Sequence, residues 1–280
     1  MSVDLEDHYS HLPFSTWDKY ESKIIKPTRR ILELFKEHNV EATFFVLGYI
    51  ADRHPDLIEE IKLQGHEIAS HGYSHTNVNK MNSQSFEQDL LRSINSIRKI
   101  SGEKVLGFRA PYFSINKQNL WAFDIIKKYL VYDSSIFPVK PHYGLSEPPR
   151  RIYRMSDNNP LKEDSTGRFI EVPLATLRLP VIGNIPIAGG IYIRTLPFQL
   201  LKTGIKKINK DGFPTICYVH PGDFDIERSA DSHYSLYYSL GIKRGIKKIE
   251  GLLKTFQFSS AREAIKGYSM DEEKKKYEKG

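Results

Sequence analysis

Residues 42–70 read ATFFVLGYIADRHPDLIEEIKLQGHEIAS and place a strand, a helix and a second strand in one short stretch. The apolar run Ala42 to Leu47 is typical of a strand buried on both faces. Pro55 opens the helix, because proline suits the first helical turn. Apolar residues then recur at helical spacing: Leu57, Ile58 and Ile61. His66 to Ser70 follows as the second strand, so strand and helix alternate here with little slack.

The alternation continues on both sides of this stretch. A helical pattern covers Thr28 to His38, and a longer helix has one apolar face made of Phe86, Leu90, Ile94 and Ile97. Strands are predicted at Val105 to Phe108 and Leu130 to Tyr132, around a helix from Asn119 to Lys128. Repeated αβ units imply a parallel sheet, so the predicted fold class is α/β.

The second half of the chain is less regular. Residues 138–186 contain many prolines and a polar stretch, which indicates an insertion or a long loop. Strand signals are present at Phe169 to Val172, Pro214 to Val219 and Thr255 to Phe258. No stretch has the composition of a linker. We therefore expect a single catalytic domain over residues 1–265 and a charged tail over residues 266–280.

The composition is that of a globular protein. The 280 residues are 40% hydrophobic and 27% charged, which is enough apolar material for a sizeable core. Cys217 is the single cysteine and lies in an apolar run, where a small buried residue is expected. The N-terminal residues do not resemble a leader peptide, and no apolar run approaches the roughly 18 residues of a membrane span. These features predict a cytoplasmic location.

The chain has 41 Lys and Arg against 34 Asp and Glu, a net charge of +7. The excess lies in Lys202 to Lys210 and Lys243 to Lys254, where basic residues alternate with apolar ones at helical spacing. Two ordinary surface helices would explain this pattern. The alternative is a face that attracts the inner membrane, a lipid-linked glycan or a nucleotide-linked sugar. No nucleic-acid motif accompanies the charge, so no nucleic-acid partner is expected.

Ionisable side chains follow five of the predicted strands, at the position where each strand ends. They are Asp4, Glu6 and Asp7 after the first strand, His71 and His75 after the strand ending at Ser70, and Arg109, Asp133 and His220 at three further strand ends. In α/β barrels the functional groups lie at the carboxyl ends of the strands. Core packing alone does not predict such a pattern, which therefore indicates a functional site.

The strongest local signal is Ser70-His71-Gly72-Tyr73-Ser74-His75. On a helical turn, two imidazoles four residues apart project from one face and suit one divalent cation. The acidic group Asp4, Glu6 and Asp7 can supply a carboxylate ligand and a second, unligated carboxylate that takes a proton from water. Exposed histidines and solvent-facing acids are the alternative explanation of each segment taken alone.

Four segments, read together, resemble the motifs of the polysaccharide deacetylases, the NodB-homology carbohydrate esterase family. In chain order they are Val3-Asp4-Leu5-Glu6-Asp7, His71-Gly72-Tyr73-Ser74-His75, Arg109-Ala110-Pro111-Tyr112 and Tyr218-Val219-His220-Pro221. The stretches Tyr132 to Pro138 and Ala188 to Arg194 resemble the branch found with exopolysaccharide biosynthesis loci. The resemblance covers almost the whole chain and implies a distorted (β/α) barrel of roughly seven parallel strands with an irregular insertion.

The resemblance implies catalytic roles for five residues. Asp4 would be the general base, Arg109 would orient it, and His220 would be the general acid that protonates the leaving amine. The backbone N–H of Tyr112 would face the developing oxyanion. Asp133 would be the carboxylate that holds His220 in its tautomer.

The resemblance also implies a metal site. His71 and His75 would bind a divalent metal, with zinc expected and cobalt, manganese or nickel as alternatives. The family's usual motif has two adjacent aspartates, whereas here Leu5 follows Asp4. The third ligand is therefore either Glu6 or Asp7.

The function that the resemblance implies is a metal-dependent hydrolase. It would remove N-acetyl groups from an amino sugar in a polysaccharide or glycan precursor and release acetate. Two alternatives stay open at this point. One is hydrolysis of another non-peptide C–N bond, in a cyclic amide or ureide, on the same fold. The other is a catalytically idle glycan-binding protein.

Overall fold

Eight strands form the main sheet of the computed structural model, which describes residues 1–144, 147–180, 183–187, 189–227 and 241–268. In their order across the sheet they are β10 (Tyr218–Val219), β1 (Ser2–Leu5), β2 (Thr43–Val46), β3 (Glu67–Ser70), β4 (Gly107–Phe108), β5 (Tyr132–Asp133), β7 (Ile170–Glu171) and β6 (Tyr153–Arg154). Seven of them run parallel, and β6 pairs antiparallel with β7 at the edge. The α/β class and the seven parallel strands expected from the sequence are confirmed.

Helices connect the strands and cover the curled sheet. They are α1 (Ile25–Glu37), α2 (Gly48–Arg53), α3 (Pro55–Leu63), α4 (Ser83–Ser101), α5 (Trp121–Tyr129), α6 (Lys140–Tyr143), α7 (Gly190–Thr195), α8 (Phe198–Lys210), α9 (Ile242–Thr255) and α10 (Ala261–Ala264). The longest, α4, begins at Asn82, whose side chain accepts a hydrogen bond from the Ser85 N–H, and ends at Gly102, whose φ is 67°. The start and the end of this helix are therefore determined by the residues directly beside it in the sequence.

The core lies against both faces of the central strands. Every residue of β1, β2 and β3 is buried. Helix α1 contributes Ile31, Leu32 and Phe35, each at most 1% exposed. Full burial of such a side chain contributes about 2 kcal/mol. These contacts hold the strand ends rigidly, which is what a site built from several strands requires.

Several predicted strands are shorter than expected, because their flanking residues leave the ladder to form the loops. The stretch Thr255 to Phe258 was expected as a strand, but residues 256–258 have no regular structure. Helix α9 extends to Thr255, and the chain then leaves it at Phe256 in an extended conformation without a strand partner among the described residues. The prediction for this stretch is wrong, since a short apolar run is also what a buried extended loop needs.

The insertion over residues 138–186 is more regular than the sequence predicts. It contains α6, the edge strand β6 with its neighbour β7, and a hairpin of β8 (Thr176–Leu179) with β9 (Gly183–Pro186). The two basic stretches lie on helices α8 and α9, as their spacing indicates.

The thiol of Cys217 is buried, and burial raises its pKa to about 11, which agrees with a structural role. Of the tail, residues 266–268 form a 3-10 helix, and the Tyr268 carbonyl accepts a hydrogen bond from Arg154. Residues 269–280, where most of the predicted tail falls, lie outside the described residues. Among the described residues, no helix combines the length and the apolar character that crossing a membrane demands.

Candidate active site

The carboxyl ends of neighbouring strands bring the ionisable side chains to one end of the sheet. Asp4 is in β1 and Glu6 follows it, while His75 belongs to the loop after β3 and His220 follows β10. These side chains line a cleft of about 280 Å³. The convergence follows from parallel pairing, because all carboxyl ends then lie on the same edge.

Glu6, His71 and His75 form the tightest cluster in the cleft. The Nε2 atoms of both histidines lie 3.0 Å from the same oxygen, Oε1 of Glu6. Burial alone would raise the pKa of Glu6, but the charge of His75 and the hydrogen bonds from both histidines hold it well below its usual value. The carboxylate is therefore ionised at neutral pH.

The tautomers of the two histidines show that this cluster fits a cation. Nδ1 of His71 donates to the Arg109 carbonyl at 2.7 Å, and Nδ1 of His75 donates to the Ser10 carbonyl at 2.9 Å. Because a carbonyl oxygen only accepts, each imidazole keeps its Nδ1 proton, and in its neutral, metal-binding form its Nε2 lone pair points at the carboxylate of Glu6. In that form, two nitrogen lone pairs and a carboxylate oxygen face one another, an arrangement that a divalent cation between them would stabilise. Metal-binding imidazoles usually donate their other ring N–H to a carbonyl or a carboxylate.

The loop that carries the two histidines is not the helical turn that the sequence predicts. Gly72 and His75 have φ of 76° and 51°, and the loop is held from outside by Asp89 of α4. Oδ2 of Asp89 accepts from the Tyr73 N–H at 2.7 Å, and Oδ1 accepts from the Ser74 N–H at 3.1 Å. These two backbone N–H groups therefore donate to a carboxylate and not to the carbonyls of a helix. The conformation of the loop brings the two imidazoles together.

Asp4 and Arg109 form a buried ion pair directly beneath the cluster. Both residues are at most 1% exposed, and Nη1 of Arg109 donates to Oδ1 of Asp4 at 2.6 Å. The same guanidinium donates to Ser2 and to Ser134, so its orientation is fixed from three sides. It also lies 4.0 Å from the ring centre of Phe45. This arrangement leaves Oδ2 of Asp4 turned toward the cleft, 3.9 Å from Nε2 of His220.

His220 is held by Asp223, which the sequence analysis did not select. Oδ2 of Asp223 lies 3.3 Å from Nδ1 of His220 and accepts from its backbone N–H at 2.9 Å. Nε of Arg194 lies 3.1 Å from the other oxygen of Asp223. Burial alone would lower the pKa of His220, but its hydrogen bond to Asp223 and the charges of Glu6, Asp223 and Asp4 raise it to about 9.

Within the described residues, Asp133 makes no contact with His220, so the geometry gives no support to the role predicted for it. Its two oxygens accept from the backbone N–H and the hydroxyl of Ser135, at 2.7 and 2.8 Å. Asp133 lies across the parallel register from Glu171, and both are fully buried. His220 is contacted instead by Asp223, which lies on the turn that follows β10.

Asp7 lies apart from the cluster of Glu6, His71 and His75. Its oxygens accept from the Ser22 hydroxyl at 2.5 Å, from the backbone N–H of His8 at 2.8 Å and from that of Lys23 at 3.2 Å. Asp7 is 6% exposed and ties together two loops at the rim. Of the two ligands left open by the sequence, Glu6 is the one that reaches both imidazoles.

Tyr112 forms one wall of the cleft. Tyr112 and Phe113 have φ of 58° and 50°, a conformation that costs about 1–2 kcal/mol per non-glycine residue. The Tyr112 ring contacts that of His75, with centroids 4.4 Å apart and planes inclined at 51°, and Tyr112 is 46% exposed. Strain of this kind persists where the surroundings enforce it, and it clusters at functional sites.

Asp223 could have been found from the sequence, because Pro221 and an acid three residues after His220 are the signature of a capped turn. Asp89 left no such signal. It lies on the polar side of an ordinary amphipathic helix, and its partner loop is 15 residues away in the chain.

Comparisons with known proteins agree with this geometry. A family model described as polysaccharide deacetylase matches residues 14–125, which include His71, His75, Arg109 and Tyr112. A second model, described as a domain of unknown function (DUF3473), matches residues 134–266.

Curated relatives include two deacetylases. A peptidoglycan-N-acetylglucosamine deacetylase from Bacillus cereus is 31% identical over 141 residues, which cover 44% of this chain and 51% of the relative. A chitooligosaccharide deacetylase from Sinorhizobium fredii is 32% identical over 114 residues, which cover 40% of this chain and 49% of the relative. The chain thus spans about half the length of these relatives.

Among solved structures, a Mycobacterium smegmatis protein provisionally assigned as a polysaccharide deacetylase superimposes with a TM-score of 0.60 at 20% identity. The superposition covers 92% of this chain and 85% of that protein, and at this identity it speaks for the fold alone. The family model thus matches the segment that contains the His-x3-His loop and the Arg109 turn, and the Mycobacterium smegmatis protein shares the fold over nearly the whole length of this chain.

Proposed function

We propose that this chain hydrolyses the N-acetyl group of an amino sugar in a polysaccharide or glycan precursor and releases acetate. The observation that carries the proposal is the placement of an ionised Glu6 and two imidazoles, His71 and His75, beside a buried carboxylate, Asp4, and a third imidazole, His220. Nε2 of His220 lies 3.9 Å from both Asp4 and Glu6. The Bacillus cereus and Sinorhizobium fredii relatives, named for N-acetylated glycans, support the same chemistry.

Glu6, His71 and His75 would hold a divalent metal. Two imidazoles and one carboxylate form a ligand set that zinc uses in hydrolases, so we propose zinc ahead of cobalt, manganese and nickel. Such an ion would polarise the acetyl carbonyl and lower the pKa of a nearby water.

The remaining residues move protons and orient groups. Asp4, fixed by Arg109, would take the proton from the attacking water at its free Oδ2. His220, fixed by Asp223, would donate a proton from Nε2 to the nitrogen of the departing amine. Because Asp4 would accept at Oδ2 and His220 would donate from Nε2, proton removal and proton donation use different atoms. The backbone N–H of Tyr112 would stabilise the developing oxyanion.

The test is acetate release from N-acetylated oligosaccharides and nucleotide-linked sugars. We expect release by metal-loaded protein and loss of release in a chelator-treated sample and in the His71→Ala, His75→Ala double variant. Glu6→Gln and Asp7→Asn form a matched pair of neighbours, in which only Glu6→Gln should lower the bound metal measured by mass spectrometry. Equal metal loss in both variants would remove Glu6 from the site.

The panel also includes cyclic amides and ureides. Turnover of these without release from any acetylated sugar would replace the deacetylase by a hydrolase of another C–N bond. Saturable glycan binding without metal-dependent turnover would replace it by a binding protein. Both outcomes leave the fold and the cleft in place and contradict the proposed reaction.

The substrate is proposed to be a cytoplasmic glycan precursor, with the basic faces of α8 and α9 toward an anionic membrane surface. Fractionation of the producing cells tests this part separately. Recovery of the protein outside the cell would overturn it without affecting the reaction.

A further inference from the structure

A second cavity lies on a different part of the molecule from the catalytic cleft. It has a volume of about 400 Å³ and lies between the β8–β9 hairpin, helix α8 and the segment before β6. We call it the basic pocket, and its charged and aromatic lining consists of Arg150, Arg151, Arg178, Lys207, Asp211 and Phe213. None of these residues lines the catalytic cleft.

The charges of the basic pocket do not balance. Four cationic side chains from three separate segments face one carboxylate, Asp211. Lys207 makes no side-chain hydrogen bond or ion pair within the described part of the chain, and Arg150 donates only to a neutral acceptor, the Thr176 carbonyl, at 3.3 Å. The cavity is therefore a concentrated positive site.

The two remaining arginines have partners that they can exchange. Arg178 contacts Glu147 at 2.5 Å and Arg151 contacts Glu163 at 2.6 Å. All four side chains are 41–58% exposed. Ion pairs so exposed contribute little, because water screens them and two long side chains must be ordered. A ligand that offers several acceptor oxygens can compete with them.

The cations also crowd one another. Burial, and next the neighbouring charge of Arg178, lower the pKa of Arg150, and the charges of Glu147 and Asp211 oppose this only in part. An anion between the side chains would turn the repulsion between Arg150 and Arg178 into attraction. Even with Glu147 and Glu163 counted beside Asp211, the four cations outnumber the carboxylates around the pocket.

Phosphate is the anion that this lining suits best. The planar guanidinium groups of Arg150 and Arg151 can each donate two parallel hydrogen bonds to phosphate oxygens. The guanidinium of Arg151 also lies 4.9 Å from the ring centre of Phe213, which leaves an aromatic surface beside the cations. Leu177 and Ile208 complete an apolar floor, and the volume exceeds that of a lone phosphate.

We propose that the basic pocket binds a phosphate or diphosphate group, carried either by a free phosphate compound or by a lipid headgroup. The proposal does not depend on the reaction in the catalytic cleft. Experiments can therefore refute phosphate binding here without refuting the proposed deacetylase activity, and the reverse.

The test uses the full chain in metal-loaded and chelator-treated form, since phosphate could also reach a metal in the cleft. Inorganic pyrophosphate is titrated by calorimetry, and phosphatidylcholine vesicles with and without phosphatidic acid are used in co-sedimentation. Lys207→Gln and Arg150→Gln are compared with Lys206→Gln, an exposed neighbour on α8 outside the lining. Asp211→Asn removes the single carboxylate of the lining.

We expect binding that persists without metal, weakens about tenfold or more in Lys207→Gln and Arg150→Gln, and is unchanged in Lys206→Gln. Asp211→Asn should tighten it, a gain that a misfolded variant cannot give. If pyrophosphate binds and the variants weaken or tighten its binding in this order, the ligand is a free phosphate compound. If only vesicles with phosphatidic acid bind, with the same order of variants, the ligand is a lipid phosphate. No binding of either probe, or equal loss in Lys206→Gln, would overturn the proposal.

Discussion

Replacing Glu171 by glutamine should stabilise the protein increasingly as the pH rises. Glu171 is fully buried, and among the described residues its Oε2 atom has no hydrogen-bond partner. Its neighbour across the register is another buried carboxyl, Asp133. Burial, and then the charge of Asp133, raise the pKa of Glu171 well above its usual value, and burial raises that of Asp133 to about 6. The pair is therefore expected to retain one proton in the folded protein.

The sign and size of the effect follow from this proton. Unfolding releases it once the pH exceeds the ordinary carboxyl pKa of about 4.3, so the folded state binds one proton more than the unfolded state. The free energy of unfolding then falls by about 1.4 kcal/mol per pH unit. The side-chain amide of the Glu171→Gln variant does not ionise, so its free energy of unfolding does not fall with pH for this reason. Between pH 5 and 6 its advantage should grow by about 1.4 kcal/mol, or about 3 °C in Tm.

The assay is thermal unfolding followed by tryptophan fluorescence at several pH values, with wild type and variant at equal metal content. Glu163→Gln, at an exposed carboxylate, serves as a control with no expected change in slope. Parallel stability curves for wild type and Glu171→Gln would refute the shared proton. A variant that loses stability at high pH relative to wild type would show that Glu171 is ionised in the folded protein.

Three further predictions concern the support of the site. Asp89→Ala frees the backbone of the histidine loop and should weaken metal binding about 10- to 100-fold, measured by competition with a chromogenic chelator, while an unchanged affinity would show that the loop holds its own shape. Asp223→Asn should lower kcat about tenfold or more with metal content unchanged, whereas Asp133→Asn should affect stability more than kcat; the reverse order would restore the role first predicted for Asp133. Gly190→Ala, at φ 42° and with a Cβ 3.6 Å from His220, should cost about 1 kcal/mol in urea unfolding and lower kcat, and a neutral result would contradict the close approach.

The sequence predicted the parts of the fold that depend on local periodicity. Apolar runs and helical spacing located β2, β3 and helices α1, α3 and α4, since burial on one or both faces leaves a direct trace in residue order. The convergence of Asp4, His71, Arg109 and His220 followed from parallel pairing alone. By contrast, the strand expected at residues 255–258 had the right composition and lacked a pairing partner.

The errors at the site have a different origin. Neighbouring residues at a strand end leave the backbone in different directions, so spacing could not decide between Glu6 and Asp7. In the sequence, Asp133 and Asp223 each come at or shortly after the end of an apolar strand pattern. Only the packing of the interior shows that Asp133 faces Glu171 and that Asp223 faces His220. Side-chain direction is set by contacts far apart in the chain.

The pairing of β1 with β10 also determines when activity can arise during folding. Val3 lies opposite Val219, and the Ser2 hydroxyl donates to the Cys217 carbonyl across 215 residues of chain. Asp4 and His220, the proposed base and acid, thus lie at adjacent strand ends that no local segment can bring together. Such a contact closes a long loop of the chain and is expected to form late. Turnover would then be a specific reporter of the final docking step, and a folding intermediate with β1 to β5 assembled would bind metal without reacting.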